Sequence, residues 1–325
     1  MDTGDGCTVK SLCNAFLTRK RDKLDSEELS PRSFEDYYGA CELLIAHVGR
    51  DRRVDDLSSD DFTRMRKAMA KKWGPVKLRN EITRIRMIFK FAFDERMIDR
   101  PFHFGQSFAP PSAKTLRKAR NEAGPRMFKA DELRRILDAA DPVVRAMGML
   151  GVNGGLGNMD VATLPQSAVD LANGWIDFPR PKTEIHRHIP LWPETITTLR
   201  EAMARRPNPK NEADADLCFL TIRGTRWLRI ESHRTVENRY SRHDQISMRF
   251  RGLLKKLGIN GRCGLGFYTL RHVFETVADE SRDQVAVNTI MGHVDSLMAA
   301  AYRERISDER LRAVVETVHG WLFGE

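Results

Sequence analysis

The chain has 325 residues, enough for two domains with separate cores, and its 41% apolar and 30% charged residues exclude a disordered chain. No run approaches the ~18 apolar residues of a membrane span, and the first residues lack a secretory signal, so the expectation is a cytoplasmic protein with no membrane partner. Lys and Arg number 54 against 45 Asp and Glu, and the net charge of +9 points to a polyanion, most simply nucleic acid. Cys7, Cys13, Cys41, Cys218 and Cys263 are scattered with no C-x-x-C pair, which argues for reduced core thiols and against a zinc site or disulfide framework.

Residues 1–100 read as a small domain of about four helices. The segment around Val9–Leu17 is the first, and Phe34, Tyr38, Cys41, Ile45 and Val48 recur at helical spacing behind Pro31. Ser59, Asp60 and Asp61 open a third helix through Met65 and Met69. Leu78, Ile82, Ile85, Phe89 and Phe93 stripe a fourth, with Arg79, Arg86 and Lys90 off that face as candidate DNA contacts. Periodicity then stops. Residues 101–125 carry Pro101, Gly105, Pro110, Pro111, Gly124 and Pro125, and crowd Lys114, Arg117, Lys118 and Arg120 into one basic stretch. The expectation is an inter-domain linker lying along a phosphate backbone.

A mixed domain is expected over 126–325. Lys129-Ala130-Asp131-Glu132 leads into a helical face of Leu133, Ile136, Leu137 and Ala140, and a short apolar helix from Val143 to Leu150 runs into Gly151-Val152-Asn153-Gly154-Gly155-Leu156-Gly157. With no G-K-[ST] after it and no buried strand before it, that glycine run is not a nucleotide loop. Trp175-Ile176-Asp177-Phe178 and His186-Arg187-His188-Ile189-Pro190 are strand-like and predict a β-hairpin with Lys182 near its tip. Beyond Pro193 the pattern is mostly helical. Residues 223–262 hold 11 Lys or Arg against Glu231, Glu237 and Asp244, and the helix marked by Ile246, Phe250, Leu253, Leu254 and Leu257 carries Arg249, Arg251, Lys255 and Lys256 outward. So lopsided a run favours a nucleic-acid contact, to which Arg249, Lys255 and Lys256 are assigned. The apolar positions of Leu311–Phe323 suit docking on a neighbouring copy and intramolecular packing equally.

Two late segments carry chemistry. In Tyr268-Thr269-Leu270-Arg271-His272 the first and fourth side chains emerge on one helical face and can converge on a phosphate. In Met291-Gly292-His293-Val294-Asp295-Ser296, followed by Tyr302, the nine-residue spacing would set His293 and Tyr302 on opposite sides of one helix. Gly292 can end the preceding helix and Asp295 can cap a new one, letting both reach one site.

In this order the segments resemble the tyrosine recombinase (phage integrase) family. The layout matches over the whole chain: a helical core-binding domain, a linker, and an α+β catalytic domain, making a mainly α fold with a small β-hairpin or sheet. The L-R-H and M-G-H motifs, with Tyr302 nine residues on, are the specific part, and Lys129–Leu133 and Lys182 also match. The resemblance implies a site-specific recombinase or integrase acting on double-stranded DNA without metal or cofactor, as a dimer or tetramer on DNA, cytoplasmic and associated with the nucleoid. Tyr302 would attack the scissile phosphodiester to give a 3′-phosphotyrosine, Lys182 would protonate the leaving 5′-oxygen, and Arg271 and His293 would hold the phosphate, with Tyr268 and His272 completing the catalytic set.

There are two departures from the family pattern. Tyr268 stands where the family has a histidine; a phenol still donates a hydrogen bond but is a poor base at neutral pH. In Gly154-Gly155-Leu156-Gly157-Asn158-Met159-Asp160, Asp160 holds the acidic place of a G-L-R-x-x-E segment while Gly157 holds that of the arginine, removing one of two expected guanidinium groups. Arg145 or an arginine of the basic region are the candidates to replace it. The alternative reading is a recombinase-derived DNA-binding protein with weak or no cleavage.

Overall fold

The periodicity of the first hundred residues becomes four helices in the computed structural model, which describes residues 7–232, 239–259, 261–262, 264–293 and 305–324. They are α1 (Val9–Asp25), α2 (Pro31–Val48), α3 (Ser59–Lys72) and α4 (Pro75–Asp94). Their starts follow from local chemistry. Thr8 and Ser30 accept from the backbone N–H groups of Ser11 and Ser33, and Pro31 and Pro75 open α2 and α4 where a missing N–H costs nothing. The described residues divide into two compact units: one up to Gly124, joined by those of the stretch Ser232–Ser241, and one of Pro125–Glu231 and Arg242 onward.

The first part of the expected linker, residues 101–112, packs on the first unit. Phe104 and Phe108 are buried in the first core, and Phe62 makes edge contacts with Phe89, Phe102, Phe104 and Phe108 at centroid distances of 5.3, 5.1, 4.9 and 5.1 Å. Prolines and glycines destroy the periodicity of residues 101–112 without preventing single aromatic side chains from reaching the core. The basic stretch that follows is α5 (Ala113–Ala123), whose N-cap Ser112 accepts from Thr115 N and which buries no residue. Lys114, Arg117, Lys118 and Arg120 all stand exposed on it.

The second unit contains α6 (Ala130–Ala139), α7 (Pro142–Gly154), α8 (Asn158–Thr163), β1 (Val169–Asp170), β2 (Trp175–Asp177), β3 (His188–Pro190), α9 (Pro193–Ala204), β4 (Leu228–Ser232), β5 (Tyr240–Asp244), α10 (Gln245–Lys256), α11 (Thr269–Ala278), α12 (Gln284–Met291) and α13 (Asp308–Phe323); the paired strands β4 and β5 reach into the Ser232–Ser241 stretch. Strands β1, β2 and β3 form an antiparallel sheet, with Ile176 opposite Ile189 and Asp177 opposite His188. The β4–β5 pair was not foreseen.

Helix α7 is apolar almost all round and lies at the centre of this core, packed on α9 and α11. Its glycines are there for close approach: a Cβ on Gly154 would lie 2.6 Å from Ile189 Cγ2, and one on Gly151 would lie 2.9 Å from Leu270 Cδ1. Helix α13 packs its own unit, with Leu311, Val314, Val315, Val318 and Leu322 buried and Trp192 Nε1 donating to Val315 O at 3.1 Å. Those positions therefore serve intramolecular packing. Among the described residues no helix is long and apolar enough to cross a membrane, and no group of three or more His, Cys, Asp or Glu could hold a metal ion.

Candidate active site

Helix α11 buries Leu270, Val273, Phe274 and Val277, and this packing fixes Arg271, which is only 2% exposed. A buried guanidinium must be hydrogen-bonded, and carbonyl groups meet that need. Its Nη1 donates to Gly155 O at 2.6 Å, and its Nη2 donates to Met291 O at 2.7 Å and to His293 Nε2 at 2.9 Å. Because a guanidinium only donates, His293 Nε2 is the acceptor and its proton sits on Nδ1, which faces Glu275 Oε1 at 3.9 Å. Burial and the Arg271 charge hold His293 below the ordinary imidazole range, against a smaller opposing effect of Glu275. The neutral ring that this hydrogen bond requires is thus the form favoured at neutral pH.

Gly292 sets this geometry. It ends α12 in the left-handed region at φ +60°, and a Cβ there would lie 2.9 Å from Arg180 Cβ and 3.0 Å from Arg187 Cδ. The hairpin loop between β2 and β3 therefore comes right up to the helix end. Thr183 Oγ1 donates to Gly292 O at 3.1 Å and Arg180 Nη1 to the same oxygen at 3.3 Å. Lys182 is exposed in the turn, one residue from the Thr183 bond.

Behind the hairpin lies a charge that the sequence reading missed. Arg187 has no exposed surface; its Nε donates to Phe178 O at 2.9 Å, and its Nη2 lies 3.4 Å from Asp160 Oδ1. Neither Nη atom has a hydrogen-bond partner among the described residues. Burial, reinforced by Arg271 and Arg180 and opposed by Asp160, lowers the Arg187 pKa to about 10. Burial and the Arg180 charge also lower that of Arg271. A signal for Arg187 was present in the sequence: it alternates with Ile185 and Ile189 at the entry to β3, and an arginine set between two isoleucines that is buried has to be paired.

Asp160 Oδ2 in turn accepts from Gly157 N at 2.6 Å at the start of α8. Gly157 has φ −89°, an ordinary extended conformation, so no backbone strain demands glycine here. An added Cβ would lie 3.1 Å from Tyr268 Cε2 and 3.2 Å from Asp160 Oδ2.

Of the remaining assigned residues, Tyr268, 48% exposed, stands at the start of α11 with its ring beside Gly157 and acts on Arg271, and it meets the ring of the exposed His272 edge-on at 5.4 Å. Tyr302 lies outside the described residues, as do Asp295 and Cys263. Arg145 does not replace the missing arginine: its Nε and Nη2 donate to Leu137 O and Asp138 O, both at 2.8 Å, at the end of α6.

Several assigned DNA contacts are partly occupied by the fold. Arg86 bonds Phe108 O at 3.2 Å and lies over the Phe104 ring, Lys90 pairs with Asp94 at 2.6 Å, and Lys118 pairs with Glu122 at 3.8 Å. Arg79, Lys255 and Lys256 are exposed. Of the basic run 223–262, Arg226, Arg229, Arg239, Arg242, Arg249 and Arg262 are ion-paired with carboxylates of this chain, Arg249 with Asp141 at 3.5 Å. That run is therefore less bare than its composition implies, because Asp214, Glu35, Asp141 and Glu132 from outside it supply four of these six counter-charges.

The model of the phage integrase family matches residues 126–308. A comparison with curated proteins finds no match. Among solved structures, the Tn1549 transposon integrase in complex with transposon right end DNA is 16% identical over 95% of this chain and 99% of that one, with a TM-score of 0.65. A lambda integrase dimer bound to a COC′ core site is 15% identical over 94% of this chain and 80% of that one, with a TM-score of 0.64, and a lambda integrase tetramer bound to a Holliday junction is 14% identical over 94% and 82%, with a TM-score of 0.65. At such low identity the likeness is one of fold: mainly helical, with small sheets, as in tyrosine recombinases.

Proposed function

Because this chain belongs to the phage integrase family, we propose that it is a site-specific DNA recombinase that cuts and rejoins double-stranded DNA through Tyr302. The observation that carries this reading is the convergence of Arg271, His293 and the Lys182 turn on the C-terminal end of α12, which gathers donors and positive charge where a phosphodiester can be held. Arg271 keeps two of its five N–H groups outside the three bonds given above, and these meet non-bridging phosphate oxygens. Tyr302 Oη attacks phosphorus, the bond to the 5′-oxygen breaks, and Lys182 gives that oxygen its proton. The product is a 3′-phosphotyrosine and a free 5′-hydroxyl, so the phosphoester energy is kept for rejoining. Neutral His293 orients Arg271 through Nε2 and presents Nδ1–H as a donor.

The helical first unit, with Lys114, Arg117, Lys118 and Arg120 exposed on α5, is proposed to bind the duplex around the cleavage point. Dimers or tetramers form on DNA, in line with the lambda integrase assemblies. Gly157 favours a second reading, in which cleavage has lapsed and DNA binding remains.

The test is a nicked suicide DNA substrate built on a duplex site that the protein is first shown to bind. The wild type should form a covalent adduct that survives denaturation, and Tyr302→Phe, which keeps the ring and loses the hydroxyl, should form none. Binding without adduct from the wild type would establish the second reading. An adduct persisting in Tyr302→Phe would overturn the nucleophile.

A further inference from the structure

We propose that Arg180 supplies the second guanidinium of the site, contacting the same phosphate as Arg271; this rests on the phosphodiester reading above and identifies the group that acts in place of a side chain at Gly157. Arg271 and Arg180 bond consecutive carbonyls at the end of α12, Met291 O at 2.7 Å and Gly292 O at 3.3 Å. The two cations are thus brought together at the negative end of one helix, directly before His293.

The other arginines near this point are committed elsewhere. Arg145 closes α6, and Arg187 is fully buried against Phe178 O and Asp160. Arg180 differs from both in being only partly buried, and its one side-chain hydrogen bond among the described residues is that to Gly292 O. A guanidinium has five N–H groups, so Arg180 keeps four for a ligand where Arg271 keeps two. Its charge acts on Arg187, Arg271 and His293 alike, which places it inside the cluster rather than beside it.

The balance of charge points to an anion. Arg180, Arg187 and Arg271 are answered by Asp160 and by Glu275, which lies 3.9 Å from His293 Nδ1 and also acts on Arg271. One positive charge is left over in a partly desolvated site, and the extra negative charge that a phosphodiester develops as the nucleophile adds is what would meet it.

Arg180 also begins the turn that carries the proposed acid. Its N–H donates to Ile185 O at 2.9 Å, and its carbonyl accepts from Thr183 N at 3.0 Å and Glu184 N at 2.9 Å, so Lys182 is displayed on a loop that Arg180 closes. One anchor therefore orients a guanidinium for the non-bridging oxygens and a lysine for the leaving oxygen.

The test compares Arg180→Ala and Arg180→Lys with the wild type on two suicide substrates, one with the natural scissile phosphodiester and one with a charge-neutral methylphosphonate there. On the phosphodiester, Arg180→Ala should slow adduct formation by about 10²–10³, and Arg180→Lys should recover part of that rate. On the methylphosphonate, which lacks the charge Arg180 would answer, the penalty should shrink to about tenfold or less, whereas a residue that only anchors the hairpin would lose equally on both. A binding arm in the Tyr302→Phe background separates this inference from cleavage itself: the preference for phosphodiester over methylphosphonate DNA should narrow when Arg180 is replaced. A wild type that forms no adduct would overturn the recombinase reading. An unchanged rate in Arg180→Ala, an equal loss on both substrates, or an unchanged binding preference would overturn the role of Arg180.

Discussion

Each unit of the molecule buries a carboxylate beside arginines, Asp61 in the first and Asp160 in the second, and these two do so in opposite ways. In the first, Asp61 is 4% exposed and takes a fork of two 2.8 Å bonds from Arg52, a 2.5 Å bond from Arg64 Nη2, and bonds from the backbone and side chain of Ser58. The arginines keep much of their surface in solvent, and the bonds from Arg52, then Ser58, lower the Asp61 pKa to about 2 against the effect of burial. In the second unit, Asp160 has Gly157 N and the edge of Arg187, while Arg187, Arg271 and Arg180 crowd about the end of α12. Here Arg187 and Arg271 are themselves buried, and both Nη atoms of Arg187 have no hydrogen-bond partner among the described residues. The first arrangement is a satisfied ion pair that supports a helix start. The second leaves positive charge in excess of its carboxylates, as expected of a site whose complement is an anion.

The contrast can be broken by removing each carboxylate. Asp160→Asn keeps the shape and the cap on Gly157 N but leaves Arg187 without a counter-charge. The second unit should lose about 3–5 kcal/mol, the usual cost of stranding one member of a buried pair, read by urea unfolding. A loss below about 1 kcal/mol would mean that Arg187 does not depend on Asp160. Asp61→Asn should cost the first unit less, on the order of 2 kcal/mol, as expected from a carboxyl lowered from 3.8 to about 2. The sign of its pH dependence follows: the folded pKa lies below the unfolded one, so this stability is fully present above about pH 4 and lost as pH falls through 2. The Asp61→Asn protein should lack that acid-dependent component, and parallel acid melts of mutant and wild type would show that Asp61 is not a paired carboxylate.

How far the sequence exposed these two sites differs for physical reasons. Four helices, the hairpin from Trp175 to Pro190 and the glycine-terminated α12 announce themselves through periodicity and local turn chemistry, which neighbours in sequence decide. Arg271 and His293 were legible because they lie on such elements with fixed spacing. Phe102, Phe104 and Phe108 were hidden because an irregular backbone reaches the core without any period. The pairing of Arg239 with Glu35 at 2.9 Å, across some two hundred residues, has no local signal. Arg180 and Arg187 were visible as residues but not as parts of the site, because what recruits them is the approach of the hairpin to Gly292.

The most direct test of the account is adduct formation by Gly157→Arg beside the wild type on the same suicide substrate, under single turnover. The φ of −89° accepts a side chain, and the nearest neighbour, Tyr268 Cε2 at 3.1 Å, belongs to a ring with half its surface in solvent that can give way. If the arginine cluster already answers the phosphate, the wild type should form adduct and Gly157→Arg should match it within about threefold, far short of the gain expected when a missing charge contact is restored. No adduct from the wild type and a strong one from Gly157→Arg, or a gain of about 10²–10³, would contradict it.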